Sequence, residues 1–301
     1  GDILEVVSLP AYDPNAFPNG ISHADWARLT DENYSYVFNR ATYGEYAPGS
    51  IFKIITGLAA LDAGVLDPNE KYYVEPDPAN PARGALFIGR RKLKDTAYSG
   101  YHDFERAFKQ SSNSYFAYYG LKAGLPKLIE MAKRFHLGEL TGVFPRQEKS
   151  GFFPSSTQGW SPGNIANLSI GQEITVTPLQ MACMTAAIAN GGRVLYPRLI
   201  KSLDGKPLDD AYPNGRVRTN LRVDPRHLEV VQRAMLADVM DRQEGTGRGA
   251  YMPDYPVAGK TGTAQVLRKG RMDHITWFTS FGPFESPRYA VVVMVESGSS
   301  R

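Results

Sequence analysis

Ser50 and Lys53 stand one helical turn apart in the run Tyr46-Ala-Pro-Gly-Ser50-Ile-Phe-Lys53-Ile-Ile-Thr-Gly-Leu-Ala-Ala-Leu61. Residues three apart on a helix share a face, so the amine can reach the hydroxyl. A serine hydroxyl is a weak nucleophile until a base takes its proton. A lysine set among apolar neighbours loses part of its preference for the charged form and can act as that base. The stretch 50–63 is apolar nearly all round, with Ile51, Phe52, Ile54, Ile55, Leu58 and Leu61. That is the pattern of a helix buried in a core, where a lysine needs a partner or a shifted pKa. The same text has a plainer reading. Ser50 follows Pro48-Gly49 and can cap the helix, Lys53 can snorkel, and a Ser-x-x-Lys spacing arises by chance about once in a chain of this length.

Two further groups carry chemistry. Lys260-Thr261-Gly262-Thr263 lies in Val257-Ala-Gly-Lys-Thr-Gly-Thr-Ala-Gln-Val266, a strand pattern interrupted by glycines. Glycine weakens a strand unless something must approach its backbone closely. A lysine and two hydroxyls beside such a gap suit a carboxylate lying along a strand edge; a bent edge strand with a solvated lysine is the plainer alternative. A phosphate loop is excluded, because position 254 is Asp254 where that motif needs glycine, and because strand rather than helix residues follow. Ser111-Ser112-Asn113 interrupts the helical stretch 104–119. Serine and asparagine favour breaks and caps, so the triplet reads either as a helix–helix turn or as a proton-shuttling hydroxyl beside a substrate-holding amide.

The elements that must position these groups follow a coarse order. Strands are expected at residues 3–8, 257–267, 276–282 and 288–296, with hairpin-like links at 268–273 and 283–287. Helices are expected over 104–119, broken at the triplet, and over 126–135. Another opens at the capping box Thr177-Pro-Leu-Gln180 and ends at Asn190-Gly-Gly192. The last opens at Asp224-Pro225 and runs to about Met240. Strands thus flank a helical middle, and the N-terminal strand is expected to join the C-terminal sheet in an α+β fold. Two turn-rich stretches, 75–100 and 145–163, are expected as loops over a site.

The 301 residues carry a net charge of +3, with charges interspersed and no basic stripe, so no nucleic-acid partner is expected. Cys183, the single cysteine, excludes an intrachain disulfide and a zinc-ligand spacing; it reads as a buried small hydrophobe. No apolar run is long enough to span a bilayer. The chain opens directly on strand text and stops soon after strand text, so it is expected to be a piece of a longer protein.

Taken together and in this order, Ser50-x-x-Lys53, Ser111-x-Asn113 and Lys260-Thr261-Gly262 resemble the penicillin-binding transpeptidase family. Ala11-Tyr-Asp-Pro-Asn15, Ser112-Asn-Ser-Tyr-Phe116, Ser169-Ile-Gly-Gln172 and Thr177-Pro-Leu-Gln180 are also similar to family text, so the likeness spans nearly the whole chain and is strongest to the monofunctional class B, cell-elongation type. The resemblance implies a β-lactamase/transpeptidase-like fold: one catalytic domain over 1–301, its antiparallel sheet flanked by helices and carrying an inserted all-α subdomain. It implies that Ser50 attacks a D-Ala-D-Ala stem peptide to form an acyl-enzyme, with Lys53 as general base. Ser111 would relay a proton with support from Lys260, and Asn113 would hold the substrate amide. Thr261, Gly262 and Thr263 would form the substrate-binding strand, the two threonines taking the terminal carboxylate. The backbone N–H groups of Ser50 and Thr263 would form the oxyanion hole. β-Lactams would acylate the same serine. A membrane glycosyltransferase and the elongation machinery are the implied partners, on the periplasmic or other extracytoplasmic side of the envelope.

The chain departs from the family in places. Glu173 follows Ser-Ile-Gly-Gln where relatives more often carry glycine, and Phe108, Lys109 and Gln110 precede Ser111 with no cysteine near, so no zinc and no cofactor are expected. The membrane anchor, pedestal domain and C-terminal helix of the class are not expected within these residues. A serine β-lactamase and a non-catalytic β-lactam sensor domain are the rival readings. The first needs a base for water, for which Glu148 and Glu173 are the acids in plausible loops.

Overall fold

A computed structural model describes residues 1–18, 20–31, 34–144, 146–208, 215–268 and 271–296. The chain runs through α1 (His23–Leu29), a 3-10 turn (Gly49–Phe52) and α2 (Lys53–Asp62), then β1 (Tyr72–Val74), β2 (Pro76–Asp77), β3 (Asn80–Ile88), β4 (Arg91–Tyr98) and β5 (Gly100–His102). A helical stretch follows: α3 (Phe104–Lys109), α4 (Asn113–Ala123), α5 (Leu125–Arg134), α6 (Pro162–Ser169) and α7 (Pro178–Ala189). Short strands β6 (Arg193–Leu195), β7 (Ser202–Leu203), β8 (Lys206–Pro207) and β9 (Val217–Asn220) lead to α8 (Pro225–Met240) and the final sheet β10 (Ala258–Arg268), β11 (Arg271–Gly282) and β12 (Tyr289–Glu296).

The apolar run after Ser50 forms the centre of the molecule. Every residue of α2 except Asp62 is buried, and the helix packs on α4, α5 and α8. On one side of it lies the antiparallel sheet in the order β10-β11-β12. α7 covers the inner face of β12 and β11, and α8 packs on β10. Trp277 of β11 is buried in that face and donates from Nε1 to the Ala47 carbonyl at 3.0 Å, tying the sheet to the segment before Ser50. The expected local signals hold for the helices. Thr177 and Gln180 make both bonds of the capping box, and Asp224 caps α8 with Pro225 in its first turn. The 104–119 stretch divides into α3 and α4 at the serine–asparagine triplet.

The class is α+β, but the layers differ from expectation in three places. Residues 3–8 form no strand. Asp2 makes a single parallel bridge to Arg198, reinforced by a 2.6 Å ion pair, and Ile3 N–H donates to the Arg198 carbonyl. Those bonds commit the first three residues to the 198 region, and Leu4 and Val7 are left exposed rather than paired on the sheet. The 75–100 stretch, expected as a loop, is instead the β2-β3-β4 sheet. Its β3–β4 hairpin turns at Gly89 with φ +59°, and basic residues at 90–92 and 94 obscure its apolar alternation. α6 lies at the end of the other expected loop, started by the Ser161 cap and a proline. Cys183 on α7 is half-buried; burial pushes its thiol up to about 12, so it stays protonated. The link between β10 and β11 falls at residues 269–270, outside the described residues.

Candidate active site

Ser50 sits on the 3-10 turn that leads into α2, half-buried and next to β10. β10 is the edge strand of its sheet, so alternate backbone groups point away from β11 and toward this turn. Two glycines permit the contact. Gly49 has φ +54°, and a Cβ there would lie 2.5 Å from the Thr263 carbonyl oxygen. A Cβ on Gly262 would lie 2.9 Å from Ile51 Cγ2 and 3.0 Å from the Pro48 carbonyl oxygen. The glycine inside the Lys-Thr-Gly-Thr strand is thus required by the approach of the serine turn.

Lys53 begins α2 and is fully buried. Its Nζ donates to the Ser111 carbonyl at 2.6 Å and to Asn113 Oδ1 at 2.8 Å, and lies 3.2 Å from Ser111 Oγ. The first two partners only accept, so they consume two hydrogens. A neutral amine has two, and its lone pair then remains for a hydroxyl proton. Burial, and next the charge of Lys260, push the Lys53 amine well below the ordinary lysine range. In this structure its hydrogen bonds run to Ser111 and Asn113 rather than to Ser50.

Ser111 closes α3 with φ +57°, a conformation that costs a non-glycine residue about 1 kcal/mol or more and persists only when its surroundings impose it. The end of α3 imposes it: the Ser111 N–H donates to the Phe108 carbonyl at 3.0 Å and the Ser112 N–H to the Ala107 carbonyl at 2.8 Å, the left-handed turn that terminates a helix. Asp95 of β4 holds the residues that follow. The carboxylate accepts from Ser112 Oγ at 2.6 Å, from the Asn113 N–H at 2.7 Å and from the Ser114 N–H at 2.8 Å, so it clamps the start of α4. Asn113 also donates from Nδ2 to the Lys94 carbonyl at 3.0 Å, which fixes its amide orientation and leaves Oδ1 toward Lys53.

Lys260 points into the protein from β10 and is fully buried, with its Nζ 5.4 Å from the centre of the Phe108 ring. Asp238 of α8, also fully buried, faces it at 3.7 Å. Burial lowers the Lys260 pKa, and the Asp238 charge opposes that shift. Strand alternation puts Thr261 and Thr263 on the other face; the Thr261 hydroxyl lies 2.6 Å from that of Thr246. The structure brings the expected site residues together in two groups, joined by the serine turn and α2. Ser50 touches the Gly262–Thr263 strand through its neighbours, and Lys53 joins Ser111 to Asn113. Lys260 makes no hydrogen bond to Ser111, and its charge acts on Lys53.

Sequence reasoning missed Asp95, Asp238 and Thr246. Asp95 lay in a stretch read as loop. Asp238 left a usable sign, since it continues the buried stripe Leu228, Val231 and Met235 of α8, where a charge requires a partner. Among the described residues no group of three or more His, Cys, Asp or Glu is placed to hold a metal ion.

Comparison with known proteins agrees with this geometry. The family profile described as "Penicillin binding protein transpeptidase domain" matches residues 1–301. The chain is 31% identical to the peptidoglycan D,D-transpeptidase MrdA of Haemophilus influenzae over 98% of its own length and 48% of that protein. It is 32% identical to the peptidoglycan D,D-transpeptidase PbpA of Mycobacterium tuberculosis over 100% of its length and 60% of that protein. It spans about half the length of the curated relatives it matches. The crystal structure of Pseudomonas aeruginosa PBP2 in complex with WCK 5153 superposes with a TM-score of 0.84 at 34% identity, covering 97% of this chain and 66% of that one. Helicobacter pylori PBP2 in complex with MreC gives 0.82 at 28% identity, covering 97% and 53%. The antiparallel sheet, the buried helix behind Ser50 and the three motifs around it are those of one lineage: this chain belongs to the penicillin-binding-protein transpeptidase domain family.

Proposed function

We propose that this domain is a peptidoglycan D,D-transpeptidase that works through a Ser50 acyl-enzyme. The observation that carries the reading is the position of Lys53. Its amine is buried and held below the ordinary lysine range, and its two hydrogens are committed to Ser111 and Asn113, at the head of the helix that carries Ser50. Lys53 takes the Ser50 proton as the hydroxyl attacks the penultimate D-Ala carbonyl of a stem peptide. The backbone N–H groups of Ser50 and Thr263 receive the developing oxyanion; each such donor is worth about 3 kcal/mol. Ser111 passes a proton to the departing D-alanine amine, with the Lys260 charge behind it. Asn113 holds the substrate amide, and Thr261 and Thr263 take the terminal carboxylate beside Lys260, along the strand that Gly262 keeps close to Ser50. The amine of a second stem peptide then accepts the acyl group. β-Lactams acylate Ser50 as mimics of D-Ala-D-Ala.

Of the two acids that would serve a hydrolase, one has both its oxygens engaged. Glu148 is partly buried, which opposes its charge, but bonds from Thr141, Gly142 and Phe144 outweigh this and hold its carboxyl below the ordinary range. Glu173 accepts from the Asn164 and Asn167 amides. The bonds on Glu148 take up both its oxygens, which favours an amine acceptor over a hydrolase that uses this acid. The relation to MrdA-type proteins, one of them solved with MreC, points to an elongation complex beside a membrane glycosyltransferase on the extracytoplasmic face of the envelope; among the described residues no helix is long and apolar enough to cross a membrane.

The test is incubation with a fluorescent penicillin, followed by mass over hours. One adduct that persists for hours is expected. Rapid loss of label with hydrolysed drug would make the domain a β-lactamase, and absence of label would remove the reading altogether.

A further inference from the structure

Behind the two buried lysines of this site stands a carboxylate that none of the three motifs contains. Asp238 on α8 is fully buried, and its Oδ2 faces Lys260 Nζ at 3.7 Å; neither atom has a hydrogen-bond partner. The other oxygen is saturated. Oδ1 accepts from the Thr246 N–H at 2.8 Å, the Gly247 N–H at 3.2 Å and the Thr246 hydroxyl at 2.7 Å. The Thr246 hydroxyl in turn lies 2.6 Å from that of Thr261.

Counting hydrogens gives this chain a direction. A carboxylate facing a buried ammonium only accepts, and a hydroxyl has one hydrogen to give. Thr246 gives its hydrogen to Asp238, so it receives one from Thr261. At rest the order is Thr261 to Thr246 to Asp238. When a ligand carboxylate reaches Thr261, that hydroxyl turns its hydrogen to the ligand and Thr246 turns its own to Thr261. Asp238 keeps the two backbone N–H bonds and Lys260. The 246–247 turn needs only an acceptor, which an asparagine would supply. A buried charge is costly unless paired, and Lys260 is the partner that accounts for it.

We propose that Asp238 is a positioning residue of the acylation site, holding the Lys260 ammonium at the back of the cleft and, through Thr246, fixing the place of the Thr261 hydroxyl oxygen, from which its hydrogen can turn to a ligand carboxylate. This rests on the transpeptidase reading of the site. It divides labour between the lysines: Lys53 is the neutral base and Lys260 the charged one. The charged groups around them are Asp238 on α8 and Asp95 on β4; α3 offers Lys260 only the Phe108 ring.

The experiment compares wild type, Asp238→Asn and Thr246→Val, each checked for folding by circular dichroism and thermal melting. The rate of Ser50 acylation by a carboxylate-bearing fluorescent penicillin is followed from about pH 6 to about pH 10. Asp238→Asn is expected to acylate about tenfold or more slowly at neutral pH, with the alkaline limb, where Lys260 loses its proton, moved about one unit or more toward acid. Thr246→Val keeps the buried charge, so its alkaline limb stays in place while non-covalent binding of the penicillin weakens about three-fold or more. A folded Asp238→Asn protein with wild-type rate and pH profile overturns the proposal. Should that variant not fold, an unchanged binding constant in Thr246→Val overturns it instead. Failure of the wild type to label at Ser50 would remove the transpeptidase reading, a result distinct from either.

Discussion

Lys53 costs the folded protein stability in exchange for its chemistry, and pH exposes that cost. Its pKa is well below the lysine reference of 10.5 in the fold and near that reference in the unfolded chain. Between those values the unfolded state binds more protons, so stability rises with pH through that window and is lost as pH falls toward the folded pKa. Lys53→Met removes the site. Denaturant unfolding at about pH 7 and about pH 9 should show a shallower rise with pH than in wild type, and equal or greater stability at neutral pH. An equal slope in both proteins would mean that the amine is charged in the fold. If Lys53 is the base proposed for Ser50, the same variant should be acylated by penicillin about 10²-fold or more slowly; an unchanged rate in stopped-flow labelling would remove Lys53 from that role.

At the scale of elements, two contacts set the geometry that the motifs require. Asp95 of β4 holds the start of α4, directly after the left-handed Ser111, through three bonds. Asp95→Ala leaves the Asn113 and Ser114 N–H groups without that acceptor and should cost about 2–4 kcal/mol by chemical denaturation, with acylation falling as Asn113 shifts against Lys53. Acylation and stability both unchanged would show that α4 starts without help from Asp95. Gly262→Ala places a methyl 2.9 Å from Ile51 and 3.0 Å from the Pro48 carbonyl oxygen, so β10 and the serine turn must part. A displacement of about 1 Å is enough to lower acylation about 10²-fold while the fold persists; a wild-type rate would show that the turn yields without moving Ser50. What was legible here follows from the range of the signals. The Thr177 and Asp224-Pro225 helix starts, and the break at Ser111–Asn113, are written in adjacent residues and appear as expected. The β3–β4 hairpin was hidden by its basic residues, and Asp95 meets partners 17 to 19 positions away, which no local pattern reveals.

Across the whole molecule, the helix that carries Lys53 is also the middle of the hydrophobic core, so folding and site assembly are one event. Leu58 on α2 is fully buried, and Leu58→Ala should cost about 2–5 kcal/mol. Circular dichroism and penicillin labelling should then be lost together in a denaturant titration; labelling that survives the loss of secondary structure would contradict a site built on the core. The C-terminal sheet was readable from its three strand patterns: those at 257–267 and 288–296 match β10 and β12 to within a residue, while β11 starts at Arg271, inside the stretch expected as a link. The placement of residues 3–8 was not, because a period of two says that a segment can pair and not with what; the Asp2–Arg198 bridge decided it. The central claim is nucleophilic attack by Ser50, and its most direct measurement is the position of the covalent adduct. Trypsin cuts after Arg40 and Lys53, so the peptide from Ala41 to Lys53 should carry one penicilloyl mass, located at Ser50 by fragmentation and absent in Ser50→Ala. An adduct on any other peptide, or one that persists in Ser50→Ala, would contradict it.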